Sequence, residues 1–264
     1  MLVAAGKLAL HLLAESPMDA FMISAASGMR ARLESLEMLA NNLANQSSPG
    51  FKPDREMYSL YAAPETFWPN DESAVPSPTV PLIEKHWTDF RQGALSQTSE
   101  PFDLALNGPG FFAVRGDRGE LLTRNGNFKL SKDGALETQD GYAVLDDRRT
   151  PIRLSSASAV EISQTGEIRQ NGIVVARLGI AAVPDQTALS KQAGTYFRMA
   201  GPAGLAAVDG TSVYQGRLEN SGHSPAEGAI RLVNVLRQFE SLTKAVQIHA
   251  EMNRRADEVA RVGG

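Results

Sequence analysis

The sequence predicts an α+β chain. Long N- and C-terminal helices pair as a coiled coil, and an all-β, antiparallel, hairpin-rich domain is inserted between them. Three observations carry that prediction. Apolar residues recur at three- and four-residue steps near both ends. In the middle the period changes to two, in short runs such as "GFFAVRGDRGELLTR" and "NFKLSKDGALET". Asp133-Gly134 and Asn171-Gly172 are strong hairpin dipeptides, and Thr165-Gly166 marks a further turn.

The chain opens with "MLVAAGKLALHLLAESP". Lys7 and a short apolar stretch give it a weak likeness to a signal peptide, but "HLLAESP" is a poor cleavage site. The reading preferred is an upstream extension over 1–17, with Met18 as the biological start and Pro17 separating it from the next helix. From Met18 to Leu43 the residues Met22, Ala25, Met29, Leu36, Leu39 and Leu43 form a heptad seam, with Arg32 as the misfit. This helix would be about 39 Å long, given the α-helical rise. A seam so rich in methionine and alanine buries little, so the helix alone is marginal in water.

The segment then reads "MLANNLANQSSPGFK". Asparagine terminates helices and fills turns more readily than it extends helices. Asn41, Asn42 and Asn45 therefore mark a shaped helix end, after which Pro49 and Gly50 turn the chain and Phe51 packs near the junction. Residues 18–60 and 215–264 are expected to form one discontinuous helical domain. A Pro-rich connector with little regular structure is expected over 61–94, since Pro64 to Pro81 contains five prolines. The β-rich domain, a sandwich or barrel-like fold, is expected over 95–214.

The last helix has the clearest start. Ser224, Pro225 and Glu227 supply an N-cap, a first-turn proline and a capping-box acid. Leu232, Val235, Phe239, Leu242, Val246, His249, Asn253 and Ala256 make a strict heptad seam that turns polar near its end. Glu227–Arg231, Glu240–Lys244, Glu251–Arg255 and Asp257–Arg261 are spaced for helical ion pairs off the seam. A single helix of about 35 residues follows, roughly 50 Å long.

Composition narrows the function. The chain has 264 residues with a formal charge of -4, which gives no electrostatic case for nucleic acid or an anionic membrane. The absence of cysteine excludes disulfides, thiolate catalysis and cysteine-ligated zinc. His11, His86, His223 and His249 have no metal-ligand spacing, and no Walker loop, GxSxG elbow or GxGxxG signature occurs. Asp146 and Asp147, flanked by Arg148 and Arg149, read as a solvated charge cluster. The Arg115–Asp117 "RGD" and the Asn45–Ser47 sequon read as a hairpin turn and a helix end, with adhesion and glycosylation as the rarer alternatives. A rival of another class is a secreted β-domain hydrolase using Asp103, Asp140 or Asp146. It needs two carboxylates roughly 5–10 Å apart in a cleft.

Three separated blocks resemble one family. "LANNLANQSSPGFK" is similar to the signature of the bacterial flagellar rod and hook proteins. "EPFDLALNGPGFFAV" with "LLTRNGNFKLSKDGALETQDGYAVL" resembles the family's β domain, and "GRLENSGHSPAEGAIRLVNVLRQFESLTKAVQ" resembles its C-terminal block. The blocks cover most of Met18 to Arg261. "RQFE" with "EMNRRADEVAR" looks closest to the proximal-rod branch, with the distal rod as the alternative. Gly222, His223, Pro109 and the short Val262-Gly-Gly tail depart from the family's usual residues.

The resemblance implies a structural polymer subunit and not an enzyme, without cofactor, nucleic acid or small-molecule substrate. It implies export through the flagellar type III apparatus without a cleaved signal peptide. Assembly would follow, with other rod proteins and copies of itself, into the rod that crosses the periplasm. The expected assembly interface comprises Met22, Met29, Leu36, Leu39, Asn41, Asn42, Leu43, Asn45, Leu232, Val235, Phe239, Leu242 and Val246. For the asparagines, a plain C-cap and turn within one subunit stands beside that role.

Overall fold

The computed structural model describes residues 17–62, 79–155, 158–199, 201, 204–205, 210–222 and 224–262. The expected extension lies outside them apart from Pro17, as do His11, His223 and all but the last three residues of the five-proline stretch. The chain is α+β, with two long helices and antiparallel strands between them. It divides into two units, one of residues 1–41, 54–87 and 226–264, the other of 42–53 and 88–225.

The first unit holds most of helix α1 (Pro17–Ala44), a ribbon of β1 (Asp54–Ala62) paired with β2 (Thr79–Thr88), and nearly all of α2 (Pro225–Val262). Helix α2 begins directly after Ser224, where the Ser-Pro-x-Glu start places it, and runs for 38 residues. The ribbon corrects one expectation. Residues 79–88 form a strand inside what the sequence suggests is an irregular connector. Pro81 is compatible because a two-stranded ribbon is all edge, where an N–H can be missing without breaking a ladder. Ser35 ties the ribbon to α1 by donating its hydroxyl to Glu56 Oε2 at 2.8 Å.

The second unit is built from hairpins. Strands β3 (Leu95–Gln97), β4 (Leu104–Asn107), β5 (Phe111–Gly116), β6 (Gly119–Thr123), β7 (Phe128–Leu130), β8 (Leu136–Thr138) and β9 (Ala143–Val144) come first. Then follow β10 (Val160–Ile162), β11 (Glu167–Gln170), β12 (Ile173–Arg177), β13 (Ile180–Ala182), β14 (Leu189–Lys191), β15 (Tyr196–Met199), β16 (Gly204–Leu205), β17 (Ser212–Gln215) and β18 (Arg217–Glu219). The main sheet has nine strands in the order β14-β15-β6-β5-β9-β8-β7, with β13 and β16 branching from β5. Strands β10-β11-β12 form a separate sheet, and β17-β4 and β18-β3 are pairs. One large sheet with small satellites is therefore the arrangement, where a sandwich or barrel is expected.

Strand β5 explains where the core sits. Its side chains alternate, so Phe112 and Val114 enter one apolar cluster with Leu104, Leu136 and Ile168, while Phe111 and Ala113 enter a second with Phe197. Both faces of "FFAV" are thus buried. Phe90, Phe111 and Phe197 stack with centroids 5.1–5.9 Å apart. The hairpin dipeptides lie where the sequence places them. Asn171 (φ 52) and Gly172 (φ 80) make the tight β11–β12 turn, with both residues in the left-handed region that such turns require.

Acidic side chains order several turns. Asp146 is half-buried and not simply solvated. Burial raises its pKa, but bonds from the Thr150 hydroxyl and N–H and the Arg148 N–H outweigh that and hold it below the usual range. Bonds from Arg177 and Arg169 lower Glu167, and the Thr187 hydroxyl and N–H lower Asp185.

Two predictions follow from these features. Gly50 has φ +66, and a Cβ there would lie 2.2 Å from the Arg124 carbonyl carbon, whereas Gly172 (φ +80) faces open space. Gly50→Ala should destabilise the β unit by well over 1 kcal/mol, beyond the roughly 1 kcal/mol of backbone strain at Gly172→Ala. Equal urea midpoints for the two variants would contradict this. The depressed carboxylates ionise more readily folded than unfolded, so the unfolded chain binds more protons in acid. Their stabilisation is present above about pH 4 and fades as pH falls through their lower folded values. Melting temperature should drop on acidification, and Asp146→Asn should reduce the drop. The same drop in that variant would refute the assignment.

Candidate assembly interface

Helix α2 leaves its apolar surface incompletely covered. The seam residues Leu232, Val235, Phe239, Leu242, Val246, His249 and Asn253 are half-buried, and Ala256 is exposed. No large apolar side chain of α2 is fully buried among the described residues. A second stripe of Ile230, Ile248, Met252 and Val259 is 62–73% exposed. Helical spacing puts this stripe on another side from the seam. Of the expected ion pairs only Glu251–Arg255 forms among the described residues, at 3.0 Å, and the Asp257 side chain lies outside them.

Helix α1 buries a different face from the one its large residues suggest. Ala25, Gly28, Ala31, Ser35, Leu39 and Asn42 are buried. Of the expected seam, Met22 is exposed, Met29, Leu36 and Leu43 are half-buried, and Ala25 and Leu39 are shared. The buried face is rotated by roughly a quarter turn, at ~100° per residue. Small side chains allow close approach of a neighbouring element, and the methionines and leucines flank that contact instead of filling it. Ser24, Ala25, Gly28 and Ala31 line a cleft of ≈ 230 Å³ with Leu242 and Ala245 of α2.

The last residues of α1 and the turn after it belong to the β unit. Asn41 is exposed, Asn42 buried and Asn45 half-buried. Gln46 N–H donates to the Leu43 carbonyl and Ser48 N–H to that of Asn45, which unwinds the helix into the turn. Gly50 N–H donates to the Glu219 carbonyl at 2.7 Å, and Phe51 and Lys52 are buried immediately afterwards. Lys191 Nζ lies 4.5 Å from the Phe51 ring centroid and donates to the Lys52 carbonyl at 2.8 Å.

The fully buried Glu219 carboxylate is the centre of a network within this unit. It accepts from Lys52 Nζ at 2.5 Å, Gly93 N–H at 3.0 Å and Arg124 Nη1 at 3.4 Å. Lys52 also donates to the Arg91 carbonyl, and Arg124 to that of Gly108. Burial pushes both cations down from their ordinary pKa range, against the opposing pull of Glu219. Sequence reading missed this network, because a lysine, an arginine and a glutamate far apart in the chain carry no local signal.

Other candidates have structural roles. Asp103 accepts from Asn127 Nδ2 at 2.8 Å, and Asp140 from the Tyr196 hydroxyl at 2.6 Å. With Asp146 in its turn, the three carboxylates of the hydrolase reading are each committed to a separate bond. Burial, then the Asp140 bond, pushes the Tyr196 hydroxyl well above the ordinary tyrosine pKa. Arg115 donates to the Arg149 carbonyl from the β5–β6 hairpin that carries Asp117. Ile173, Val174 and Val175 of β12 are all exposed, at the edge of the three-stranded sheet. Their run of consecutive apolar residues was the signal for this surface.

A half-covered apolar seam such as that of α2 is the kind of surface a subunit of an assembly presents, and the β unit is closed by its own buried ionic network. Residues 22–52, which span α1 and the Gly50 turn, match the family described as flagella basal body rod protein. Residues 105–170 match the flagellar hook protein FlgE/F/G D1 domain. The chain is 30% identical over 246 residues to the flagellar basal-body rod protein FlgF of Caulobacter vibrioides, covering 93% of this chain and 98% of that one. It is 28% identical to FlgF of Rhizobium meliloti, over 83% of this chain and 88% of the relative. With the flagellar basal-body rod protein FlgG of Buchnera aphidicola it shares 26% identity, over 86% and 94%. The chain belongs to the flagellar basal-body rod protein family, a structural and not an enzymatic family, and is a rod subunit of the flagellar basal body.

Glu219→Gln would leave Lys52 and Arg124 buried without a counter-charge. It should destabilise the β unit by roughly 3–5 kcal/mol in chemical denaturation. Adding Lys52→Met should cost less than the sum of the single changes. A loss below about 1 kcal/mol for Glu219→Gln, the scale of an exposed ion pair, would refute the network's role.

Proposed function

We propose that this chain is a proximal-rod subunit of the FlgF type that joins the rod through its two terminal helices. One observation carries this reading: α2 runs for 38 residues with a seam only half-buried and a second apolar stripe exposed. The FlgF relatives at 30% and 28% identity support the proximal branch. The FlgG relative, at 26% over 86% of the chain, supports a distal-rod subunit as the second reading.

In this reading α1 and α2 pair as an antiparallel coiled coil. Met22, Met29, Leu36, Leu39 and Leu43 meet Leu232, Val235, Phe239, Leu242 and Val246, or the helices of neighbours. Asn41, Asn42 and Asn45 carry both donors and acceptors, and fix register at the helix ends. Covering the stripes gains ~25 cal/mol per Å² of apolar area, less the cost of ordering the partners. Helix packing is thereby completed by assembly. The helical rod core takes most of α1, the β1–β2 ribbon and α2, and the β domain takes β3 to β18. The latter sits at larger radius, where Ile173, Val174 and Val175 add lateral contacts. Its partners are other rod proteins and copies of itself. It reaches the periplasm-crossing rod through the flagellar type III apparatus.

Ile248→Asp with Met252→Asp charges the exposed stripe without touching the β unit. The purified variant should melt as the wild type does, while cells carrying it should fail to swim and yield basal bodies with defective rods. Normal swimming would refute assembly through this helix. Full amide protection of α2 in the isolated chain would refute completion of packing by assembly.

A further inference from the structure

Helix α1 carries an outer face as well as a buried one. On it Met22, Leu33 and Glu37 are exposed and Met29 is half-buried. This face is centred roughly 140° around the helix from Ala25, Gly28 and Ala31, at ~100° per residue. Those three small residues line the cleft shared with Leu242 and Ala245 of α2, within the same unit. The outer face of α1 therefore points away from α2 of its own chain, and the two cannot meet within one copy.

Helix α2 carries a matching face. Ile248, Met252 and Val259 belong to its exposed stripe, and Lys244 is exposed in line with them. Along α1, Met22, Met29, Leu33 and Glu37 are separated by seven, four and four positions. Along α2 read backwards, Val259, Met252, Ile248 and Lys244 are separated by the same seven, four and four. Both helices rise ~1.5 Å per residue, so an antiparallel approach that levels one pair levels all four. Met22 then meets Val259, Met29 meets Met252, Leu33 meets Ile248, and Glu37 meets Lys244. Among the described residues neither Glu37 nor Lys244 has an ion-pair or hydrogen-bond partner, so both charges are available to pair. A slip of one heptad in one direction sets Glu37 against Glu251, and in the other it sets Leu33 against Ser241. Repulsion and lost apolar contact thus disfavour the neighbouring registers.

We infer that the outer face of α1 in one copy docks antiparallel on the exposed stripe of α2 in a second copy, with Leu33 on Ile248 and Glu37 on Lys244. This inference rests on the assembly reading above and gives it a partner and a register. The contact is heterologous: different patches meet, so each copy added still offers one uncovered helix face for the next.

The chain has no cysteine, so introduced thiols report proximity without background. Full-length Leu33→Cys and Ile248→Cys chains, mixed and oxidised, should form the mixed disulfide at least about tenfold faster than Leu33→Cys with Ile230→Cys. Ile230 lies roughly 27 Å further along α2, at ~1.5 Å per residue, beyond the reach of a disulfide. In sedimentation velocity, Glu37→Lys and Lys244→Glu should each weaken self-association about tenfold, since each sets like charges together. The combined Glu37→Lys, Lys244→Glu chain should return to within about threefold of wild type. A mixed disulfide no faster than the Ile230→Cys control overturns the inference. So do single reversals that associate like the wild type, a combined chain no better than the singles, or a wild-type chain that stays monomeric throughout. The Ile248→Asp, Met252→Asp chain separates these outcomes from failure of the assembly reading. If it fails to build rods in cells while Glu37→Lys and Lys244→Glu build them normally, assembly through α2 stands and this register falls. If it swims normally, the assembly reading itself falls.

Discussion

The closure of the β unit depends on a single buried carboxylate. Glu219 lies at the end of the last strand, and the groups that bind it come from the turn after α1, the 91–93 segment and the strand-end residue Arg124. Chain entry and chain exit are thereby drawn together on one anion. The desolvation penalty for three buried charges is large, and only full hydrogen bonding of the carboxylate offsets it. Gly50 belongs to the same constraint, because its left-handed backbone and lack of a Cβ let the entry strand pass against Arg124 and Asn125.

The two units are stabilised by different physics. In the β unit, alternate residues of β5 fill two apolar clusters, and tight hairpins set the registers. In the helical unit, α1 buries alanine, glycine and serine, while the large apolar side chains of α2 remain half or wholly exposed. The first arrangement is complete within one molecule. The second leaves apolar surface of α2 half or wholly exposed, which the proposed assembly would cover.

Much of this was legible in the sequence. The change of period from three-to-four to two located helices and strands, and Asn171-Gly172 and Ser224-Pro225 gave correct local boundaries. The seam of α2 was legible because its large apolar residues repeat strictly. The buried face of α1 was not, since hydrophobic periodicity weights methionine and leucine over the small residues that permit close packing. Strand β2 was hidden by the prolines before it, which read as a connector. The Lys52–Glu219–Arg124 network was invisible because it depends on three-dimensional proximity between residues separated by up to 167 positions.

The ionic character of that network has a mechanical consequence. The chain contains no cysteine, so nothing covalent joins its entry and exit segments. Once Glu219 loses its partners, the whole polypeptide becomes a plain thread, free of any loop that chemistry would have to cut. Such a thread can be drawn end-first through a narrow opening and can close again without any covalent bond being remade.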